Sequence, residues 1–126
     1  MEPFVQILLS TYNGSRFLHE QMESLLQQDW PNLQILVRDD GSTDATPDIL
    51  QYYTRYPQVN YQRGSNMGVV GSFLTLLQCS DPKADYLAFC DQDDVWPAGR
   101  LARLLPLFAD PAVLLVHTDA RLVDAD

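Results

Sequence analysis

Three short polar segments each follow a run of apolar, β-prone residues in this chain. They are Thr11-Tyr12-Asn13, Asp39-Asp40 and Asp91-Gln92-Asp93-Asp94. The last two segments carry five carboxylates, and we expect the strands that precede them to be neighbours. Mutual repulsion between these carboxylates would raise their pKa values or require a cation. The pattern therefore predicts a bound divalent metal ion.

Asp91 and Asp93 are the best candidates for metal ligands. They are two positions apart, so in extended backbone their side chains would leave the same face and reach one ion. Mg²⁺ and Mn²⁺ accept one or two carboxylates and fill their other positions with water and substrate phosphate. The predicted cofactor is therefore Mn²⁺ or Mg²⁺, with a diphosphate as substrate. The alternative is that these aspartates, with Asp94, only begin a loop and cap the helix after Pro97.

The elements that would position these residues alternate regularly between strand and helix. Short apolar runs predict strands at 4–10, 33–38, 59–62, 86–90 and 112–117, and apolar residues at helical spacing predict helices between them, the last at 97–108. Such alternation implies an α/β fold with a mostly parallel central sheet and helices on both faces. Ligands of such sheets bind outside the carboxyl ends of the strands, where the polar segments lie.

Each of the first three helices has a predicted apolar stripe. Thr46 before Pro47 predicts an N-cap with proline in the first helical position. The stripes expected to face the sheet are Phe17, Leu18, Met22, Leu25 and Leu26 in the first helix, Ile49, Leu50 and Tyr53 in the second, and Phe73, Leu74 and Leu77 in the third.

Composition indicates one compact domain. Of the 126 residues, 46% are hydrophobic, and the formal net charge of -9 argues against a nucleic-acid partner. Cys79 and Cys90 lack the spacing of a zinc or redox site, so we expect two buried thiols. The apolar runs are far shorter than the roughly 20 residues of a membrane-spanning helix. With no secretory signal pattern at the N-terminus, the expected location is cytoplasmic.

Four motifs in order resemble the family 2 glycosyltransferases of GT-A fold. They are Ile7-Leu8-Leu9-Ser10-Thr11-Tyr12-Asn13-Gly14, Arg38-Asp39-Asp40-Gly41-Ser42-Thr43-Asp44, Asn66-Met67-Gly68 and Phe89-Cys90-Asp91-Gln92-Asp93-Asp94-Val95-Trp96. The resemblance covers essentially the whole chain, which would be the Rossmann-like nucleotide-binding half of the fold. The version Cys90 to Trp96, with the segment 117–124 downstream, is most similar to the bacterial rhamnosyltransferase-type branch, whose members build polysaccharides.

The resemblance implies a role for each motif residue. Asp40 would accept a hydrogen bond from the ring N–H of uracil or thymine, although Asp39 and Asp40 could instead form a turn with Gly41. Asp91 would approach the ribose and the metal, and Asp93 would bind the metal directly as part of the D-x-D motif. Asp94 would cap the next turn or hold a metal-bound water. The remaining nucleotide-sugar-binding residues would be Thr11, Tyr12, Asn13, Asn66 and Gly68, and Arg63 could reach a phosphate.

The implied activity is metal-dependent, inverting transfer of a sugar from a UDP- or dTDP-linked donor, with dTDP-rhamnose as one candidate, to a glycan or lipid-linked acceptor. The chain would be the donor-binding portion, truncated before the acceptor-binding part, with the catalytic base beyond Asp126. Asp119, Asp124 and Asp126 are not assigned as that base. Exposed apolar surface would favour self-association, and a lipid-linked acceptor would place the full-length protein against the inner membrane.

The sequence also fits two other classes of function. Asp91-x-Asp93-x-Val95 also fits the D-x-D-x-[TV] pattern of haloacid-dehalogenase-like phosphatases, whose first aspartate is a nucleophile. That pattern normally closes the first strand, whereas here it follows the fourth predicted strand. The other alternative is a non-catalytic nucleotide-binding or interaction domain that keeps the fold without metal affinity.

Overall fold

The computed structural model describes residues 2–106, in which strands and helices alternate without interruption. The elements in chain order are β1 (Val5–Thr11), α1 (Ser15–Leu26), β2 (Leu33–Asp39), α2 (Thr46–Tyr53), β3 (Val59–Arg63), α3 (Gly68–Cys79), β4 (Tyr86–Cys90) and α4 (Arg100–Leu104). None of the helices in this part of the chain is long and apolar enough to cross a membrane.

The described strands form one parallel sheet in the order β3-β2-β1-β4. β1 has a strand on each side and is buried along its whole length, as its apolar sequence requires. The chain adds β2 and β3 on one side of β1 and then returns to place β4 on the other side. The order of the strands therefore reverses next to β1, which is where open α/β sheets usually bind their ligands.

Helices cover both faces of the sheet, as predicted. On one face, Leu18, Met22 and Leu25 of α1 pack with Leu50 and Tyr53 of α2 in the larger core cluster. On the other face, Leu76 of α3 packs against Leu8 and Leu36 of the sheet. α4 adds Leu101 to the larger cluster. The α/β class and the parallel sheet are thus confirmed.

The predicted strand bounds agree with the structure to within one residue for the four described strands. The last helix begins later than predicted, because α4 starts at Arg100 after a loop containing Pro97. The predicted strand at 112–117, the end of the predicted helix at 97–108, and Asp119, Asp124 and Asp126 lie outside the described residues.

Several predicted inward-facing residues are exposed. Phe17 precedes the buried Leu18 by one position, about 100° around the helix, and its ring faces the Arg16 guanidinium in solvent. In α3 the buried positions are Ser72 and Leu76, so Leu74 and Leu77 point away from the sheet. The predicted stripes were wrong at these three positions. Periodicity predicts how far apart the buried residues of a helix lie, but it does not predict which apolar residues beside them are also buried.

Two smaller predictions also need correction. Thr46 is the first residue of α2, and the N-cap position belongs to Ala45. The Thr46 hydroxyl instead accepts a hydrogen bond from the Gly14 amide at 3.0 Å. Cys90 is buried as expected, and burial raises the pKa of its thiol. Cys79 is exposed because it is the last residue of α3.

Candidate functional site

The predicted polar segments all lie at the end of the sheet where the carboxyl ends of its parallel strands meet, called here the carboxyl edge. β1 and β2 are paired through Thr11 and Asp39, and β4 is paired with β1 up to Leu9 opposite Cys90. Because the strands are parallel, their carboxyl ends meet at this edge. The prediction that the two acidic strand ends are neighbours is wrong, because β1 lies between β2 and β4.

Asp39 is a structural residue at the end of β2. Its carboxylate is buried and accepts hydrogen bonds from the Thr11 hydroxyl at 2.9 Å, from the Ser42 amide at 2.9 Å and from the Ser42 hydroxyl at 2.5 Å. These bonds close the turn at Gly41, whose φ of +84° favours glycine. Of the two roles considered for Asp39, turn formation is the one the structure supports. The Thr11 hydroxyl also takes part in this turn, because it donates its hydrogen bond to Asp39.

The exposed residues of the first motif, Tyr12 and Asn13, lie in the loop after β1. The Tyr12 side chain is exposed at the edge of the sheet. Asn13 has a left-handed backbone, with φ of 49°, a conformation that asparagine tolerates better than most residues. The Asn13 amide donates to the Ser42 hydroxyl at 2.8 Å, and its side-chain oxygen accepts from the Thr43 amide at 2.8 Å. The loop is thereby fixed to the turn after β2.

Asp40 is held by a buried network of its own. Its Oδ1 accepts from the Arg38 guanidinium at 2.6 Å and from the Met67 amide at 2.8 Å, and its Oδ2 accepts from the Gly68 amide at 3.0 Å. Burial acts to raise the pKa of Asp40, but the hydrogen bonds and the Arg38 charge outweigh burial and lower its pKa. Of the two expected effects of crowding, a raised pKa or a need for a cation, Asp40 does not show the first, because the Arg38 charge and the amide hydrogen bonds stabilise the ionised carboxylate.

The segment before α3 lies against the turn after β2. The Asn66 backbone nitrogen is 3.0 Å from where a Cβ on Gly41 would stand. Gly68 has a φ of +82°, which directs its amide to Asp40. Arg63 is exposed and donates to the Ser42 carbonyl at 3.2 Å. The structure thus brings Asp40, Asn66 and Gly68 together, as the motif pattern predicts. They are held by direct contacts between the segment before α3 and the turn after β2.

Asp91 and Asp93 are exposed on a tight turn after β4. The Asp94 amide donates to the Asp91 carbonyl at 3.2 Å, and Asp93 has a left-handed φ of 69°. The backbone is therefore not extended, and the expectation that both side chains leave one face of an extended strand is wrong. The two carboxylates instead project from a turn that lies at the carboxyl ends of the strands.

Asp94 supports the turn and the loop that follows it. Its Oδ2 accepts from the Trp96 indole N–H at 3.2 Å and lies 3.7 Å from an Arg100 guanidinium nitrogen. Arg100 in turn lies over the Trp96 ring, 4.7 Å from its centroid. Within residues 2–106, the buried Oδ1 of Asp94 has no hydrogen-bond partner. Both contacts of Oδ2 are with side chains and α4 has no side-chain cap, so these bonds show neither of the two roles expected for Asp94.

Two glutamines that the sequence did not single out complete the site. Gln21, buried in α1, bonds to backbone groups of Asp91, Asp93 and Asp94. Gln92, inside the turn, accepts a hydrogen bond from the Tyr12 amide and so joins the turn to the loop after β1. Both contacts span about 70 or more positions along the chain, so no local sequence signal could have indicated them.

The donors at this edge fit a hard divalent cation that is bound together with a phosphorylated ligand. Within residues 2–106, no cluster of three or more histidine, cysteine, aspartate or glutamate side chains forms a complete metal cage. Asp91 and Asp93 supply oxygen donors only, and they are accessible to solvent. Mg²⁺ and Mn²⁺ are commonly held in this way, by one or two carboxylates and substrate phosphates.

The chain therefore forms an open parallel α/β domain with a turn of exposed carboxylates at the carboxyl ends of its strands. The profile of Glycosyl transferase family 2 matches residues 6–124. The chain belongs to this family, and the predicted family likeness is confirmed.

Named relatives agree with the family assignment. The chain is 34% identical over 93 residues to dTDP-rhamnosyl transferase RfbG of Shigella flexneri, covering 70% of this chain and 32% of RfbG. It is 30% identical over 126 residues to chondroitin synthase of Escherichia coli, covering 98% of this chain and 18% of that protein.

Among solved structures, the chain is similar to the mannosyltransferase PcManGT of Pyrobaculum calidifontis, determined in complex with GDP-Man and Mn²⁺. The TM-score is 0.80 at 26% identity, over 90% of this chain and 34% of PcManGT. The structural likeness confirms the predicted GT-A fold. The chain spans about a quarter to a half of the length of the first curated relatives that it matches.

Proposed function

We propose that this chain is the donor-binding portion of a metal-dependent, inverting glycosyltransferase that takes its sugar from a UDP- or dTDP-linked donor. The observation that carries the proposal is the position of the Asp91–Asp94 turn. It presents two exposed carboxylates at the carboxyl edge of a parallel sheet, next to the loop after β1, in a family 2 chain.

In this proposal Asp93 and Asp91 hold Mn²⁺ or Mg²⁺ against the diphosphate of the donor. The metal, when bound, acts as a Lewis acid that neutralises the charge developing on the departing diphosphate. The chain's own contribution is to hold the turn in place while leaving the two carboxylates open to the ligand. PcManGT, a structural relative, was determined with Mn²⁺ and a nucleotide sugar, which supports the choice of metal.

The proposed nucleoside contacts come from the loop after β1 and from Asp40. The pairing with Arg38 keeps Asp40 ionised, and an ionised carboxylate accepts hydrogen bonds without donating them. It can therefore pair with the ring N–H of uracil or thymine. Oδ2 accepts one bond in the structure, from Gly68, and a carboxylate oxygen can accept two. Because Asp40 is 3% exposed, the segment around Asn66 and Gly68 must move to admit the base.

The name of RfbG, a dTDP-rhamnosyl transferase, supports a thymidine donor with rhamnose as a candidate sugar. PcManGT was determined with GDP-Man, so guanine belongs among the nucleotides to be tested. The acceptor in the full-length protein would be a glycan or a lipid-linked glycan.

Deprotonation of the acceptor hydroxyl requires a general base, and no described residue is assigned to that role. We place the base and the acceptor site in parts of the full-length protein outside this chain. Support comes from coverage, since the chain aligns with only 34% of PcManGT. The chain alone is then expected to bind the donor nucleotide without transferring the sugar.

The alternatives have less support. Asp91 does follow β4 rather than β1, which is unlike the haloacid-dehalogenase arrangement, and the family profile favours sugar transfer over phosphoester hydrolysis. A non-catalytic domain would keep the fold without affinity for metal.

Calorimetric titration with UDP, dTDP, GDP and ADP, with and without Mn²⁺, tests the proposal. The informative variant is Asp93→Asn, because asparagine tolerates the left-handed backbone while removing the charge. Asp29→Asn is the control, since Asp29 lies between α1 and β2, at the opposite edge of the sheet. Metal-dependent binding of UDP or dTDP that is lost only in Asp93→Asn is the expected result. Absence of binding to every nucleotide would refute the proposal. In a separate assay with a nucleoside-diphosphate sugar and a glycan acceptor, sugar transfer by the chain alone would refute the assignment of the base.

A further inference from the structure

Gln21 is a polar residue in the apolar face of α1. It is 0% exposed and lies on the same side of the helix as the core residues Leu18, Met22 and Leu25. A buried amide is costly unless its donors and acceptor are satisfied. The partners of Gln21 therefore indicate why a glutamine is accommodated at this position.

Those partners are backbone groups of the turn after β4. Gln21 Nε2 donates to the Asp91 carbonyl at 2.6 Å and to the Asp94 carbonyl at 3.3 Å, and Oε1 accepts from the Asp93 amide at 3.3 Å. One side chain thus holds the start, middle and end of the turn. It leaves the carboxylates of Asp91 and Asp93 exposed.

The turn needs such a support. Asp93 is in the left-handed region, with φ of 69°, which non-glycine residues adopt only when their surroundings fix it. Since the carboxylates project from this backbone, a small rotation of the turn would redirect both of them.

We propose that Gln21 is a positioning residue for the metal: it sets the direction of the Asp91 and Asp93 carboxylates through the backbone of the turn. The inference rests on the proposed function, because it assumes that these carboxylates bind a metal with the donor diphosphate. Through Gln21, α1 would contribute to the affinity of the chain for the metal.

Gln28 is a matched control within the same helix region. It is also buried, seven positions further on, and its Nε2 donates to the Pro97 carbonyl at 2.7 Å while its Oε1 accepts from the Leu101 amide at 3.2 Å. Like Gln21, it joins the α1 region to the segment after β4, but at residues beyond the turn. Replacing either amide should therefore cost stability, and only Gln21 should affect the metal.

The test compares Gln21→Met and Gln28→Met, which keep the length of the side chain and remove the amide. Thermal unfolding without ligand should show similar decreases in Tm. Mn²⁺ affinity in the presence of UDP, measured by the EPR signal of free Mn²⁺, should fall roughly tenfold in Gln21→Met, as for other residues that orient metal ligands. It should stay near the wild-type value in Gln28→Met.

The possible outcomes separate the two proposals. A wild-type chain that binds no Mn²⁺ with either UDP or dTDP overturns the proposed function and this inference with it. Wild-type binding with equal Mn²⁺ affinity in both variants overturns the inference alone. If Gln21→Met does not fold, NMR of the wild-type chain decides: Mg²⁺ with UDP should shift the Gln21 side-chain amide signals and leave those of Gln28 in place. Unshifted Gln21 signals would overturn the inference.

Discussion

At the scale of single residues, the buried pair of Arg38 and Asp40 depends on the absence of a side chain at Gly64. A Cβ on Gly64 would lie 2.2 Å from Arg38 Nη2. The guanidinium cannot easily move, because Nη1 donates to Asp40 and to the Ser72 hydroxyl while Nη2 donates to the Ser65 carbonyl. Displacing Arg38 would leave buried polar groups without partners, which costs about 1–3 kcal/mol.

Gly64→Ala should therefore lower the free energy of unfolding, measured by urea denaturation, by about 1–3 kcal/mol. Gly99→Ala is the control, since a Cβ there meets no atom within 4 Å, and it should destabilise the chain less than Gly64→Ala does. Equal stability of the two variants would show that Arg38 can shift without loss.

The same site shows what residue types alone can predict. The motif positions Asp40, Asn66 and Gly68 come together in the structure, and each could be picked out beforehand because turn-forming and acidic residues are local signals. The partners that set their chemistry were not predictable: Arg38 neutralises Asp40, and Gln21 holds the Asp91–Asp94 turn. These contacts depend on which residues the folded chain brings together, and sequence spacing does not encode that.

At the scale of elements, Asp44 joins the beginnings of two helices. Its Oδ2 accepts from the amide of Ser15, the first residue of α1, at 3.2 Å, and its Oδ1 accepts from the amide of Thr46, the first residue of α2, at 2.9 Å. A carboxylate is favoured at helix N-termini because free amides and the helix dipole both attract it. One side chain thus fixes α1 and α2 relative to the turn after β2.

The pH dependence of stability follows from this contact. Burial acts to raise the pKa of Asp44, but hydrogen bonds from Thr46 and Ser15 outweigh burial and lower the pKa from 3.8 to about 2. A lowered folded-state pKa means that the stabilisation is complete above about 4 and is lost as the pH falls through about 2. Asp44→Asn should therefore have a lower Tm than wild type at neutral pH, with a difference that shrinks towards pH 2.

Circular dichroism melts across this pH range measure the difference, with Asp29→Asn as the control at the opposite edge of the sheet. A Tm difference between wild type and Asp44→Asn that is constant with pH would mean that the Asp44 charge is not what joins the helices.

Element bounds were more predictable than element faces. Strand β4 was predicted at its observed residues, because a short apolar run between turn-forming residues has few other interpretations. In α3, by contrast, apolar residues lie around most of the helix, and one of its two buried positions is Ser72 beside Leu76. Ser72 accepts from both Arg38 and Ser10, at 3.0 and 2.6 Å, so a polar network decides which side of α3 faces the sheet.

At the scale of the whole molecule, the helices within residues 2–106 cover the sheet unevenly. α3 packs on β1 and β2, while β4 keeps exposed apolar side chains beside it, linked to α3 by an edge-to-face contact of Phe73 and Phe89 at 5.4 Å. We call the exposed apolar residues of this region the α3–β4 surface. Its members are Val70, Leu74, Leu77, Leu87 and Phe89. Exposed apolar side chains on neighbouring elements favour association.

We predict that the chain self-associates through the α3–β4 surface. Each copy carries a formal charge of -9, so repulsion opposes contact, and salt should strengthen association by screening that repulsion. Sedimentation velocity at rising concentration, in low and high salt, should show a salt-favoured dimer. The double variant Leu74→Lys with Phe89→Lys should remain monomeric, because it adds charge within the contact. Phe17→Lys, which alters an exposed aromatic residue on α1, should still associate. A wild-type chain that stays monomeric in high salt would mean that the apolar area is too small to overcome the entropy of association.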